Sequence, residues 1–339
     1  MNRSIPWTSK RIQKQQHPEK SFLKGFCRSF SGCLLLSLII TARAEEGGAG
    51  HYAPGSFASF VQVLPDKPGI GVFNYFVYYN GSVSANRQFP IAGQVAINLD
   101  ATSYADLFGA FWVTPFKILG ANYAPGMAIP FVWNDVSGKA TRSGVGSVKR
   151  SDSASGLGDF EFWPVALSWS ALNKDLHVDF FGGIYAPTGG FQTNRLANQG
   201  LGCWTFEPGL LVSYLGRKNG FEFTTYTGYD INTKNTKTDY QSGQVFHIDA
   251  TVAQHLPLGK SIIGIGANGF YVQQTTGDSG SGARLGSFEE MTAGVGPVLS
   301  YAAQSAKWGF AAEVKWLPQI STQNTLKGDY VWFKVSVQF

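Results

Sequence analysis

Four polar residues late in the chain have the residue types of a chemical site: His247, Asp249, Thr251 and His255. Alternate side chains of an extended strand point to the same face, so these four would share one face of one strand. A base, an acid and a hydroxyl are the groups that nucleophilic catalysis requires. No serine of the chain lies in a G-x-S-x-G turn, however. We therefore interpret the row as polar groups facing a water-filled interior and predict that the protein is not an enzyme.

The spacing of the same residues bears on metal binding. His247 and His255 are eight positions apart, which is about 26 Å along a strand at roughly 3.3 Å per residue. Two ligands of one ion lie much closer than that, because metal–nitrogen bonds are about 2.0 to 2.1 Å long. A metal site would need partners on neighbouring strands, which the sequence does not identify. We predict no metal and no cofactor.

The segments that carry these residues alternate as strands do. Apolar residues occupy every second position from Phe246 to Val252, opposite the polar row. From Val331 to Phe339 one face is wholly apolar, and the other face carries Trp332, Lys334, Ser336 and Gln338. A strand with one apolar face fits either a half-buried sheet or a barrel whose outer surface touches lipid.

The first 44 residues have the features of an export signal. A basic region precedes the apolar run Cys33 to Ile40, and the small-residue site Ala42-Arg43-Ala44 follows it. The run is eight residues long, well short of the roughly 18 to 20 residues that span a bilayer as a helix. We predict a cleaved signal peptide over residues 1–44. Its removal leaves a slightly acidic chain, so the formal charge of +5 gives no reason to expect nucleic acid as a partner.

After this signal, alternating segments are repeatedly followed by clusters of Gly, Asn, Asp, Ser or Pro. We predict a loop or plug-like segment over residues 45–69, which are rich in glycine and proline. Residues 70–339 are predicted to form an all-β fold, a transmembrane antiparallel up-and-down β-barrel of about twelve strands. The predicted strands are 70–80, 103–114, 117–133, 157–171, 175–187, 203–216, 220–232, 243–255, 260–275, 290–303, 307–317 and 329–339.

Short and long connections alternate between these strands from residue 134 onward. The predicted long connections are 81–102, 134–156, 188–202, 233–242, 276–289 and 318–328. In outer-membrane barrels the short turns face the periplasm and the long loops face outward. The pattern predicts a bacterial outer-membrane location, with membrane lipid and lipopolysaccharide as surroundings. Lys234 and Lys237, in one long connection, are candidates for contact with lipopolysaccharide phosphates.

The polar face of the strands would line the lumen. Both charge signs occur there, and opposite charges on neighbouring strands can pair across a barrel of this size. This favours a narrow, selective passage over a wide general porin. The predicted lumen and substrate path consists of His177, Phe181, Tyr185, Glu222, Tyr226, His247, Asp249, Glu313, Lys315 and Lys334.

The apolar face of the last strand has a separate predicted role. Phe333, Val335, Val337 and Phe339 alternate on that face and end in an aromatic residue. Such a strand is typical of the closing strand of an outer-membrane barrel. We predict that these four residues act as an assembly signal for the barrel assembly machinery.

Several short motifs support a more specific interpretation. They are Ser155-Gly156-Leu157-Gly158-Asp159-Phe160, Asp230-Ile231-Asn232-Thr233, Thr238-Asp239-Tyr240-Gln241-Ser242-Gly243, Gly264-Ile265-Gly266 with Phe270-Tyr271 and Gln273-Gln274, Gly294-Val295-Gly296-Pro297 with Tyr301, and Trp332-Phe333-Lys334 with Phe339. As a set, over about residues 50–339, they resemble the MetA-pathway of phenol degradation family of Gram-negative outer-membrane proteins. The resemblance implies a β-barrel that imports hydrophobic aromatic compounds, akin in role to long-chain fatty-acid channels. It supplies no catalytic residues.

Two functions from different classes are consistent with these observations. The first is passive uptake of a small hydrophobic ligand, including aromatic compounds, with the substrate class taken from the resemblance. The alternative is a structural or adhesive surface barrel with no transport role, whose long loops make the functional contacts.

Overall fold

A computed structural model provides the structure of the chain. No helix in the described part of the chain is long and apolar enough to cross a membrane. The predicted signal peptide, residues 1–44, lies outside the described residues. The structure describes residues 46–47, 50–83, 87–142, 146–305 and 307–339.

The described residues form one antiparallel sheet and two short 3-10 helices, Phe60–Gln62 and Leu172–Lys174. The strands are β1 (Gly69–Ser82), β2 (Gln88–Ile91), β3 (Gln94–Val113), β4 (Lys117–Ile118), β5 (Ala121–Tyr123), β6 (Gly126–Arg142), β7 (Gly146–Leu157), β8 (Phe160–Ala171), β9 (Leu176–Ala186), β10 (Thr205–Leu215), β11 (Phe221–Asn232), β12 (Val245–Leu258), β13 (Ser261–Gln274), β14 (Met291–Gln304), β15 (Gly309–Gln323) and β16 (Lys327–Gln338).

The sheet closes on itself. β1 pairs with β3 on one side and with β16 on the other, and each strand from β8 to β16 pairs with the next. β6 pairs with β8 from Gly126–Trp163 to Ala128–Glu161, which completes the ring. β5 continues into β6, and β7 continues into β8, so each pair makes one strand of the wall. Over the described residues, the wall is a closed barrel of twelve antiparallel strands, which confirms the predicted fold class.

Three predicted connections consist largely of strand instead. The described residues of 134–156 belong to the hairpin of β6 and β7, and the predicted loop 81–102 contains β2 and the first part of β3. The predicted connection 318–328 is also mostly strand, because β15 continues to Gln323 and β16 begins at Lys327. Their loop-like composition misled the prediction. Hairpin arms held together by backbone pairing have no need of the apolar face that lipid contact requires.

Side chains alternate between the two faces of the wall as predicted. On β16, Trp332 and Lys334 are each 1% exposed, whereas Phe333 is 48% exposed. On the neighbouring β15, Trp316 is 50% exposed while Lys315 is completely buried. Apolar groups on the outer face contact lipid in a membrane barrel, so high exposure of aromatic side chains is the expected state here.

Phe339 provides a test of the assembly signal, which stays a prediction. Its backbone N–H donates to Ile70 O at 2.9 Å, and its side chain is 66% exposed. Replacing Phe339 by alanine should lower the amount of folded barrel in outer-membrane fractions several-fold, measured by heat-modifiable electrophoresis. Phe116→Ala is the matched control, because Phe116 is 67% exposed in the turn before β4. Equal yields of both variants and the wild type would contradict the prediction.

Residues 50–68, which precede β1, lie inside the barrel, and we call them the N-terminal segment. Glu46, just before it, is bound at the end of the barrel that carries the long loops, because its carboxylate accepts from Gly93 N at 2.9 Å and from Thr238 Oγ1 at 3.1 Å. β1 begins at Gly69, at the end that carries the short turns. The segment therefore runs along the lumen from the long-loop end to the short-turn end.

Candidate functional site in the barrel lumen

The inward side chains give the lumen two different walls. β1, β3 and β8 present a mostly apolar wall, which we define by Phe73, Tyr75, Val77, Ala105, Phe111 and Trp163, although β8 also carries the buried Glu161. β9 to β12, β15 and β16 present a charged wall, which we define by Asp179, Glu207, Glu222, Asp230, His247, Asp249, Glu313, Lys315 and Lys334. All members of the charged wall are at most 2% exposed.

The backbone of Gly55, in the N-terminal segment, makes hydrogen bonds to three side chains of the charged wall. Its N–H donates to Asp249 Oδ2 at 3.0 Å, and its carbonyl accepts from Lys334 Nζ at 2.6 Å and from Lys315 Nζ at 3.3 Å. Its φ of +86° favours glycine. A Cβ there would lie 2.3 Å from Leu317 Cδ1. Both the backbone conformation and the packing therefore require glycine at position 55.

Further contacts continue along the segment and use its backbone. Glu222 Oε1 accepts from Phe60 N at 2.8 Å, and Asp179 Oδ2 accepts from Leu64 N at 2.9 Å. Trp332 Nε1 donates to Pro54 O at 2.9 Å, and the Thr251 hydroxyl donates to Ala58 O. Charged groups buried in a lumen need partners, and here the backbone of the segment supplies them.

Glu313 balances the two lysines of the charged wall. Its Oε1 lies 3.2 Å from Lys315 Nζ and 3.3 Å from Lys334 Nζ. All three residues are at most 2% exposed. A buried cluster of this kind depends on every member, because removal of one partner leaves an uncompensated charge.

The predicted row on β12 does not form a catalytic arrangement in this structure. His255 Nε2 lies 2.6 Å from Glu222 Oε2, whereas His247 lies beside Glu207 and Asp230 and stacks on Tyr52 with ring centroids 3.5 Å apart. Asp249 and Thr251, between the two histidines, bind the N-terminal segment instead. The contacts of the row support a structural role. That the protein is not an enzyme stays a prediction.

The aromatic residues of the predicted path have two different positions. Phe181 and Tyr185 line the cavity described below. Tyr226 stacks on Phe57 of the N-terminal segment with centroids 4.3 Å apart, and Tyr226 and Tyr185 both donate to the carboxylate of Glu207. His177 has a buried Nδ1 that finds no hydrogen-bond partner among the described residues. A role for any of these residues in a substrate path stays a prediction.

A cavity of about 670 Å³ lies between the N-terminal segment and the apolar wall. Phe57, Phe60 and Val63 of the segment line one side, and the apolar wall lines the other. Its lining continues to Ile262 and Gln338 at the short-turn end. The arrangement can accommodate an apolar molecule on one side of a lumen whose other side is occupied by charge and backbone.

The sequence of the chain matches a known protein family. The MetA-pathway of phenol degradation family matches residues 85–335, which is most of the chain. The chain belongs to that family. Membership confirms the resemblance carried by the short motifs. No curated protein sequence matches the chain significantly.

Solved structures similar to this phenol-degradation family barrel are outer-membrane proteins. The COG4313 outer membrane channel from Pseudomonas putida F1 has a TM-score of 0.55 and 13% identity, over 85% of this chain and 100% of that chain. The β domain of the Bordetella autotransporter Brka (TM-score 0.42, 11% identity, 80% and 99% coverage) and a Pseudomonas aeruginosa FadL homologue (0.38, 9%, 81% and 90%) are more distant. The likeness to the first of these shows that the two proteins share a fold. The protein is a β-barrel of the bacterial outer membrane, as predicted.

The cavity-lining residues that the sequence did not indicate are mostly on the apolar wall. Phe73, Tyr75 and Val77 lie in a part of β1 that is aromatic on both faces, so no amphipathic pattern marks the inward side. Glu207 was also missed, although the alternating burial of β10 places it inward with Thr205 and Gly209. For Glu207, the period of two was a usable signal.

Asp159, from one of the family motifs, joins the N-terminal segment to a long loop. Its Oδ2 lies 3.0 Å from His51 Nε2 and accepts from Leu201 N at 2.7 Å, while its Oδ1 accepts from Gly189 N at 2.8 Å. The motif therefore fixes the outer part of the segment beneath the loop of residues 188–204. The resemblance identified this residue but not its role.

Asp278 gives the long-loop end a predicted pH dependence. It accepts hydrogen bonds from Gly243 N at 3.0 Å, Gln274 Nε2 at 2.7 Å and the Tyr240 hydroxyl. Burial raises the pKa of Asp278 to about 7. A raised carboxyl pKa stabilises the closed loops at low pH, and that contribution is lost as pH rises through about 7. Amide exchange at Gly243, corrected for its intrinsic rate, should therefore become several-fold faster above that pH.

Two variants separate this effect from general loosening of the loops. Asp278→Asn removes the titrating group and should weaken the pH dependence of exchange at Gly243. In Asp239→Asn the dependence should persist, because hydrogen bonding to Lys234 lowers the pKa of Asp239, which is therefore ionised throughout this range. If Asp278→Asn and the wild type show the same pH profile, Asp278 is not the group responsible.

Proposed function

We propose that this phenol-degradation family barrel lets small hydrophobic compounds, including aromatic ones, cross the outer membrane passively. The single observation that carries this proposal is the cavity of about 670 Å³ beside the apolar wall. Cavities of roughly 300 to 1,000 Å³ with mostly apolar linings are typical of sites for small ligands. The aromatic groups Phe73, Phe111 and Trp163 add the flat surfaces on which aromatic compounds pack.

The presence of an apolar wall on one side of the lumen and a charged wall on the other supports selection against polar solutes. Asp249, Lys315 and Lys334 of the charged wall bind the backbone of the N-terminal segment, which occupies that side of the lumen. A polar solute in the remaining space would lose its hydration and meet mostly apolar side chains, which costs free energy. A hydrophobic solute gains from the same transfer. In this proposal residues 45–69 act as a plug that leaves open only the apolar side.

Uptake assays with a blocked cavity test the proposal. Ala105 lines the cavity on β3, opposite Val77 of β1. Ala105→Trp should fill the space and lower the uptake of radiolabelled toluene several-fold in cells that lack the chromosomal gene. Ala110→Trp is the matched control, because Ala110 lies five positions along the same strand and therefore on its outer face. This control should leave uptake at the wild-type level.

Two results would contradict passive uptake. One is equal toluene uptake in cells with the wild-type protein and with Ala105→Trp, provided that both barrels reach the outer membrane. The other is unchanged uptake of every aromatic compound and alkane tested after gene deletion, which would favour the structural or adhesive barrel. Lipopolysaccharide and the barrel assembly machinery remain proposed partners; the first is supported by the exposed Lys234 and the second by the exposed Phe339.

A further inference from the structure

Three buried side chains from neighbouring strands converge beneath Tyr52 of the N-terminal segment: Glu207 on β10, Asp230 on β11 and His247 on β12. The register explains why they meet. Phe206 pairs with Ile231 at the start of β10, and Asp230 pairs with Val245, two positions before His247. One ligand atom from each lies within 4.8 Å of the other two. All three side chains are at most 2% exposed.

Two distances within this cluster match those of ligands that share an ion. His247 Nε2 lies 3.3 Å from Glu207 Oε1 and 3.5 Å from Asp230 Oδ1. Charge-assisted hydrogen bonds are shorter, about 2.7 to 2.9 Å. Among the described residues, no well-directed hydrogen bond reaches either nitrogen of His247 or Asp230 Oδ1. Ligands bound tetrahedrally at about 2.0 to 2.1 Å are separated by roughly 3.3 to 3.4 Å, which matches the observed spacing.

Charge and surroundings also suit a divalent cation. Two carboxylates and a neutral imidazole carry a charge that one divalent ion neutralises, and buried charges require such compensation. The Tyr185 hydroxyl donates to Glu207 Oε2 at 2.8 Å, and the Tyr226 hydroxyl donates to Oε1, which orients the carboxylate. Gly228 leaves the necessary space, because a Cβ there would lie 2.6 Å from His247 Nε2 and 2.7 Å from Glu207 Oε1.

We propose that Glu207, Asp230 and His247 form a binding site for one divalent transition-metal ion of the zinc class. One imidazole nitrogen with two carboxylate oxygens suits Zn²⁺, and a water molecule can complete four-coordination. The ion joins β10, β11 and β12 under Tyr52, so its role is structural. Glu207 and Asp230 are thus the ligands from neighbouring strands that His247 needs, because His255 lies too far along β12 to share an ion with it.

Metal analysis of refolded barrel tests the site. Wild-type protein is refolded with ZnCl₂, freed of loose metal on a desalting column and measured by mass spectrometry of the elements. The wild type should retain about one zinc ion per chain, the stoichiometry of a single site with three protein ligands. Asp230→Asn and Glu207→Gln keep the side-chain shape and should lose at least nine-tenths of that zinc. His255→Asn, which alters the other buried histidine of β12, should retain it.

A second measurement uses the wild type alone, so it stands even if a variant fails to fold. Refolding with CoCl₂ in place of zinc should give visible absorption bands of four-coordinate cobalt, and added ZnCl₂ should remove them. Absence of these bands from folded wild-type barrel would overturn the proposal. So would equal zinc retention in the wild type, Asp230→Asn and His255→Asn, since the metal would then be bound elsewhere.

Discussion

Deleting residues 50–66 should convert the barrel into an open pore with a single-channel conductance several-fold above that of the wild type. The N-terminal segment occupies the lumen against the charged wall, where Asp249, Lys315 and Lys334 bind the backbone of Gly55. Without the segment these charges become hydrated, and water and ions fill the vacated space. The twelve-strand wall is held by its own backbone pairing, so the barrel should remain folded. Planar-bilayer recordings measure the conductance.

A single substitution at Gly55 should cause a smaller increase in conductance for the same reason. Gly55→Ala introduces a Cβ against Leu317 at a position where φ is +86°, so we expect frequent openings between the wild-type and deletion levels. Gly286→Ala is the matched control: its φ is +75°, but no atom lies within 4 Å of the added Cβ. A deletion variant that conducts like the wild type would show that the segment does not restrict the lumen.

Glu313→Gln should lower the free energy of unfolding by about 3 to 5 kcal/mol, the usual cost of removing one member of a buried ion cluster. Lys315 and Lys334 would remain buried side by side with no carboxylate in contact with both ammonium groups. Glutamine preserves the shape of the side chain, so the loss reports the charge. Urea unfolding in lipid vesicles, followed by gel mobility, measures the change.

The exposed ion pair of Asp175 with Arg217 provides the control for this prediction. Its atoms lie 2.9 Å apart, and the arginine side chain is 56% exposed. Exposed pairs contribute about 0 to 1 kcal/mol, so Asp175→Asn should barely move the unfolding midpoint. Similar midpoints for Glu313→Gln and Asp175→Asn would mean that water reaches the Glu313 cluster in the folded barrel.

The fold was largely predictable because lipid on one side and a polar lumen on the other impose a period of two on each strand. That period identifies β12, β15 and β16 and places Asp249, Glu313 and Lys334 inward. It fails for the hairpin of β6 and β7, where no apolar face is needed. β1 was predicted as a strand over residues 70–80, but the period does not identify its inward face, because aromatic residues occupy both faces.

The contacts of the lumen were not predictable from the sequence, because they join residues far apart in the chain. Gly55 meets Lys334 across 279 positions, and nothing near either residue indicates that contact. Glu207, Asp230 and His247 come together only through the registers of three neighbouring strands. Strand faces are local properties of a sequence, whereas register and lumen filling are properties of the closed barrel.

β16 has two partners that link closure of the barrel to its contents. Its backbone pairs with β1 from Gly71–Gln338 to Ser82–Lys327 and so joins the two ends of the wall. Its side chains Trp332 and Lys334 bind the backbone of Pro54 and Gly55. β16 therefore both closes the barrel and binds the N-terminal segment inside it. Biogenesis therefore has to coordinate two events, because the N-terminal segment and β16 must find each other as the first and last strands of the wall meet.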